Sequence, residues 1–119
     1  LTIIATGLMV NEALEAGRAL EAQGISARVV NIHTIKPLDE ELVLKAAAET
    51  GKLLTVEEHS VIGGLGSAVT EVVCEKCPCI VRRIGVNDEF GTSGPALDLL
   101  KKFGLSAEHI IETAKSMVG

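Results

Sequence analysis

The sequence predicts a single α/β domain, a parallel sheet covered by helices on both sides. Three observations carry this. Four short apolar runs of strand character alternate with segments whose apolar residues recur at helical spacing, the pattern of successive βαβ units. Apolar residues make up 47% of the chain and aromatics only 2%, so the core must be Val, Ile, Leu and Ala. At 119 residues the chain is a usual size for one domain and too short for two. A domain near this length buries roughly two thirds of the surface its unfolded chain exposes, enough for a core without disulfides or metal. Right-handed crossovers are expected.

The elements follow in order. Thr2–Thr6 is the first strand and ends at Gly7. From Val10 the period changes to a helix with Val10, Ala13, Leu14, Gly17 and Leu20 inward and Glu12, Glu15, Arg18 and Glu21 mostly opposite, closed by Gly24. Ala27–Ile32 is the second strand. Pro37 breaks the chain, and Asp39 caps a helix with Glu40 and Glu41 in its first turn and Leu42, Val43, Ala46 and Ala47 inward, ended by Gly51. Lys52–Val56 is the third strand. Gly63, Gly64 and Gly66 open a helix with the clearest stripe of the chain, Leu65, Ala68, Val69, Val72 and Val73. Ile80–Val86 is the fourth strand. A short helix is expected near Gly94-Pro95, with Leu97, Leu100 and Phe103 inward and Gly104 as its stop. Ser106 caps the last helix, whose apolar face is Ile110, Ile111, Ala114, Met117 and Val118.

Composition removes several functions. Net charge is −5, with 16 acidic and 11 basic residues, no basic stripe, and neither Trp nor Tyr to stack on bases, which argues against nucleic acid as a partner. No apolar run approaches the ~20 residues of a membrane span. Three Cys, an odd number in a chain that needs no staples, fit a reducing, cytoplasmic compartment. Leu1-Thr2-Ile3 already reads as strand, so the chain is expected to be part of a longer protein.

In an open parallel sheet, ligands and partners meet the carboxyl ends of the strands. Here those ends carry Thr6-Gly7, His33-Thr34, Glu57-Glu58-His59 and Asn87-Asp88. If the first and third strands are neighbours, Glu57, Glu58, His59 and the turn of Gly63, Gly64, Gly66 and Ser67 flank the switch point. The turn offers backbone N–H groups to an anion. It matches neither the dinucleotide fingerprint nor a P-loop, and close backbone packing is the plainer account. Glu57, Glu58 and His59 could supply an acid/base pair in principle. Adjacent strand residues point to opposite faces, so at most one glutamate shares a side with His59. No Ser or Cys nucleophile accompanies them, and a polar rim that bonds loops or another chain is the plainer account. Cys74, Cys77 and Cys79 fall one ligand short of a structural zinc site, which would need His59 or a more distant residue. They are expected to be incidental thiols, Cys79 facing the core. His33 and His109 are expected to be solvated.

Taken together, Thr2-Ile3-Ile4-Ala5-Thr6-Gly7, Asn31-Ile32-His33-Thr34-Ile35-Lys36-Pro37-Leu38-Asp39, Thr55-Val56-Glu57-Glu58-His59 and Gly63-Gly64-Leu65-Gly66-Ser67 resemble the C-terminal domain of transketolase over essentially the whole chain. Deoxyxylulose-5-phosphate synthase and the β chains of 2-oxoacid dehydrogenases share this domain. The stretch from His33 to Asp39 and Gly85–Gly91 are more similar to transketolase, in particular its short form encoded as two sections. The usual Phe-Gly-Glu-Ser-Gly stands here as Phe90-Gly91-Thr92-Ser93-Gly94, a departure at Thr92.

The resemblance implies a three-layer α/β/α fold whose four strands run parallel in the order 2-1-3-4, without the family's antiparallel first strand. That order leaves the second strand as an unpaired edge, from which self-association or strand addition is expected. It implies a parent enzyme of pentose phosphate metabolism that moves a two-carbon ketol unit between sugar phosphates, with thiamine diphosphate and a divalent metal (Mg). The cofactor belongs to the two domains that precede this one, so no catalytic or cofactor-binding residue is expected here. The expected partners are the preceding transketolase domains and a second protomer. The competing expectations are the same domain in deoxyxylulose-5-phosphate synthase or a 2-oxoacid dehydrogenase β chain, and a phosphate- or nucleotide-binding module built on the Gly63–Ser67 turn.

Overall fold

The computed structural model describes residues 1–7, 9–32, 38–60, 64–86 and 107–118, with the backbone alone at 58–60 and 86. In chain order these form β1 (Thr2–Ala5), α1 (Met9–Ala22), β2 (Arg28–Asn31), α2 (Glu40–Thr50), β3 (Lys52–Ser60), α3 (Leu65–Lys76), β4 (Ile80–Val86) and α4 (Ala107–Val118). The four strands make one parallel sheet in the order β2-β1-β3-β4, as expected. The short helix expected near Gly94 lies outside the described residues.

Alternation along β1 sends its side chains into two cores. Ile3 and Ala5 face α1 and α4, joined there by Leu54, Val56 and Ile84 from the neighbouring strands. Ile4 faces α2 and α3 with Leu53, and Val43, Ala46, Ala47, Leu65, Val69 and Val73 close over them. Thr2 is buried on this second side, where its hydroxyl meets that of Thr50 at 2.9 Å. The register aligns Ile3 with Val29 and Leu54, so each core is three strands wide at its centre.

Helix ends follow local chemistry. Asp39 Oδ1 accepts from the Leu42 N–H at 3.1 Å, capping α2 as the sequence implies, and Gly51 closes it. The inward face of α1 differs from the expected stripe. Met9, Ala13, Ala16, Gly17 and Leu20 are buried, whereas Leu14 is 39% exposed. The cause is a close approach: a Cβ on Gly17 would stand 2.8 Å from Val29 Cγ2. The helix turns its smallest residues to the sheet and swings Leu14 outward.

β3 is longer than the apolar pattern suggests. It runs to Ser60, taking in Glu57, Glu58 and His59, which the sequence places in the following loop. The ladder with β4 is regular from Lys52 to Val56, breaks, and resumes at Ser60 with Val86. Such an irregularity inserts extra residues on one strand and locally disrupts its ladder.

Candidate functional site

Because β1 is flanked by β2 on one side and β3 on the other, the chain changes direction between β1 and β3. The carboxyl ends of these strands meet there, with the Thr6 N–H donating to the Val56 carbonyl at 3.3 Å. Glu57 is the next residue. Its side chain is fully buried, a rare state for a carboxylate without a partner. Its partners are the first residues of α3: Oε1 accepts from the Leu65 N–H at 2.9 Å and Oε2 from the Gly66 N–H at 2.8 Å. The first N–H groups of a helix have no partner within it and carry its positive end. A carboxylate held between two of them satisfies both charge and hydrogen bonding.

Gly66 lets α3 come this close. A Cβ there would stand 2.6 and 2.8 Å from Cδ and Cγ of Arg83 and 3.0 Å from Thr55 Oγ1. Thr55 is buried beneath, and among the described residues its hydroxyl has no hydrogen-bond partner. Gly64, with an extended backbone and no side chain to cap with, sits at the N-cap of α3. Ser67 follows, half-buried, in the first turn. The structure therefore brings Gly64, Gly66 and Ser67 together at the switch point. Glu58 and His59 lie on β3 by their backbone, and Gly63 and the side chains of Glu58 and His59 lie outside the described residues. His33, Asn87, Asp88 and Thr92 are also outside them.

The sequence reading grouped Glu57 with the polar rim and did not single it out. Its signal was present: a glutamate ending an apolar strand, eight residues before a glycine-rich helix start. It also missed Glu12, placed on the outer face of α1. Glu12 Oε2 accepts from the Ala107 N–H at 2.8 Å and so ties the start of α4 to α1.

Cys74, Cys77 and Cys79 are free thiols. Cys77 and Cys79 pack half-buried against the core under α2 and α3, in line with the inward reading of Cys79. Among the described residues no three His, Cys, Asp or Glu side chains converge as a metal ion requires. No helix among them is long and apolar enough to cross a membrane. His109 is exposed in the first turn of α4.

The arrangement fits a diphosphate cofactor poorly. The N–H groups of Leu65 and Gly66, which would face an anion at this helix start, already bind Glu57, and that buried carboxylate would repel a second negative group.

Comparison with known proteins agrees with the fold and the residue pattern. The family described as transketolase, C-terminal domain, matches residues 1–110. The chain is 54% identical over 113 residues to a 6-deoxy-6-sulfo-D-fructose transketolase subunit of a Clostridium species, covering 95% of this chain and 35% of that protein. It is 47% identical over 117 residues to the 1-deoxy-D-xylulose-5-phosphate synthase of Heliobacterium modesticaldum, covering 98% of this chain and 18% of that one. A solved structure described as a split gene transketolase, inactive beta4 tetramer, superimposes with a TM-score of 0.91 at 51% identity, covering 97% of this chain and 38% of that one. The chain thus spans less than two fifths of the length of each of these relatives. With the sheet order, the glycine-rich helix start and the matched sequence in agreement, the chain belongs to the transketolase C-terminal domain family.

Proposed function

We propose that this chain serves as the assembly domain of a thiamine diphosphate-dependent transketolase, docking on preceding domains and a second protomer rather than performing the ketol transfer itself. The observation that carries this reading is the buried Glu57 carboxylate across the N–H groups of Leu65 and Gly66. It makes the switch point, where an α/β enzyme binds its ligand, a structural joint. Thiamine diphosphate and its divalent metal would then be held by the rest of the parent enzyme, which moves a two-carbon unit between sugar phosphates. Glu58, His59, Gly63, Gly64, Gly66 and Ser67 would form the rim facing those domains. The relatives named as a transketolase subunit and as a split gene transketolase support a parent made of separate sections. A parent in the cytoplasm, taking part in pentose phosphate metabolism, is the accompanying expectation.

Calorimetric titration of the chain with thiamine diphosphate and Mg2+ tests this directly. No heat of binding is expected. Stoichiometric binding to the chain alone would overturn the proposal. The complementary measurement supplies the chain to a transketolase lacking its C-terminal domain. Recovery of a stable, correctly sized assembly is expected, and no association would count against a docking role.

A further inference from the structure

The C-x2-C-x-C run lies at the end of α3 opposite the Glu57 joint, where that helix stops and β4 begins. Cys74 lies in the last turn of α3 and is exposed, Cys77 is the C-cap, and Cys79 immediately precedes β4. The Cys77 N–H donates to the Val73 carbonyl at 2.9 Å, so the final turn closes with α-helical spacing. Residues three apart in such a turn have Cα atoms about 5 Å apart, from the rise and radius of the helix. That separation lies inside the disulfide window of about 4.4–6.8 Å.

Within a helix, Cβ atoms at this spacing are about 5–6 Å apart, too far for an S–S bond. Cys77 escapes that restriction. Its φ of −155° and ψ of 72° have already left the helix. Rotation about its N–Cα bond re-aims its Cβ and leaves its N–H on Val73 in place. Cys74 and Cys77 are therefore a pair whose Cα spacing suits a bond, one thiol exposed and the other half-buried at the helix end.

We propose that this segment is a reversible thiol-oxidation site in which exposed Cys74 attacks a low-molecular-weight disulfide and Cys77 resolves the product. The Cys74 thiolate forms a bond to one sulfur of the small disulfide. The S–S bond breaks, and the departing thiolate takes up the proton Cys74 released. The Cys77 thiolate then attacks the Cys74 sulfur and expels the second small thiol, which takes the proton of Cys77. Two protein thiols are oxidised, and one small disulfide is reduced to two thiols. Cys79 stays outside the exchange. Its partial burial, and then the neighbouring Cys77 and Cys74, push its thiol above the usual range, which lowers its share of the reactive thiolate.

The test treats the reduced, folded chain with glutathione disulfide, alkylates the remaining thiols and maps them by mass spectrometry. An internal Cys74–Cys77 bond with Cys79 alkylated is expected. Cys77→Ser should stop at a mixed disulfide on Cys74. Cys74→Ser should react at least about tenfold more slowly than the parent, and Cys79→Ser at the parent rate. Circular dichroism of each variant confirms that the fold is kept. A bond to Cys79, or reaction of Cys74→Ser at the parent rate, overturns the assignment. So does oxidation of the parent that begins only in denaturant.

Discussion

The starts of α3 and α4 are both held by a glutamate, under opposite conditions. Glu57 is eight residues from its first partner, fully buried, and engages two N–H groups with both oxygens. Glu12 is ninety-five residues from its partner, half-buried, and engages one N–H with one oxygen. The first joint is local and dry. It fixes a helix against the strand that leads into it, at the cost of desolvating a carboxylate. The second spans nearly the whole chain and keeps access to water, so it costs and stabilises less. Asp39 at α2 is the exposed reference, a conventional side-chain cap bonded to the Leu42 N–H three residues on. The three together form a series in which burial varies while the chemistry stays the same, an acidic oxygen on a helix N–H.

The series makes ranked predictions, read by urea unfolding. Glu57→Ala should cost the most, about 3 kcal/mol or more, because two buried donors lose their acceptor. Glu57→Gln, which keeps one acceptor oxygen, should cost less than Glu57→Ala. A loss below about 1 kcal/mol for Glu57→Ala would mean that water or another group replaces the carboxylate, and would reopen this helix start to anions. Gly66→Ala should follow at about 1–3 kcal/mol. Its Cβ presses on the Arg83 stem and on Thr55, which sets a limit on the gain in helix propensity. Glu12→Ala should cost about 1 kcal/mol and speed amide exchange in the first turn of α4 before elsewhere. A uniform change in exchange would show that the tie between α1 and α4 belongs to the global fold. Asp39→Ala should cost the least, about 0.5–1 kcal/mol. If it exceeds Glu12→Ala, burial is not what orders the series.

The same contrast explains what was legible in the sequence. The described helices, the buried run of each strand and the two-sided core follow from hydrophobic period, because Ile3 and Ile4 must face opposite ways and each must find cover. The strand order came from family resemblance, since no local pattern states which strands are neighbours. The inward face of α1 is not legible from hydropathy, which ranks Leu14 above Ala16, whereas shape decides. Gly17 lies close against Val29, and the helix rotates to suit. Sequence alone places Glu57 on the rim because a carboxylate at a strand end is ordinarily wet. Its burial depends on α3 arriving with two unpaired N–H groups, a fact of tertiary structure. Glu12 was invisible for the same reason across a longer span, having no partner in its own neighbourhood.

The central place of β1 has a consequence for how the domain is made. Among the described strands, β1 comes first in the chain yet lies inside the sheet, between β2 and β3. Ile4 pairs with Val30 and with Thr55, so it waits for two crossovers before its backbone is satisfied on both edges. Closing such distant pairings is entropically slow. During translation, residues 2–5 would therefore be an apolar segment open on both edges until β2 follows, and on one edge until β3 does. The period of greatest exposure to misassociation comes early, before the second core has any helix of its own.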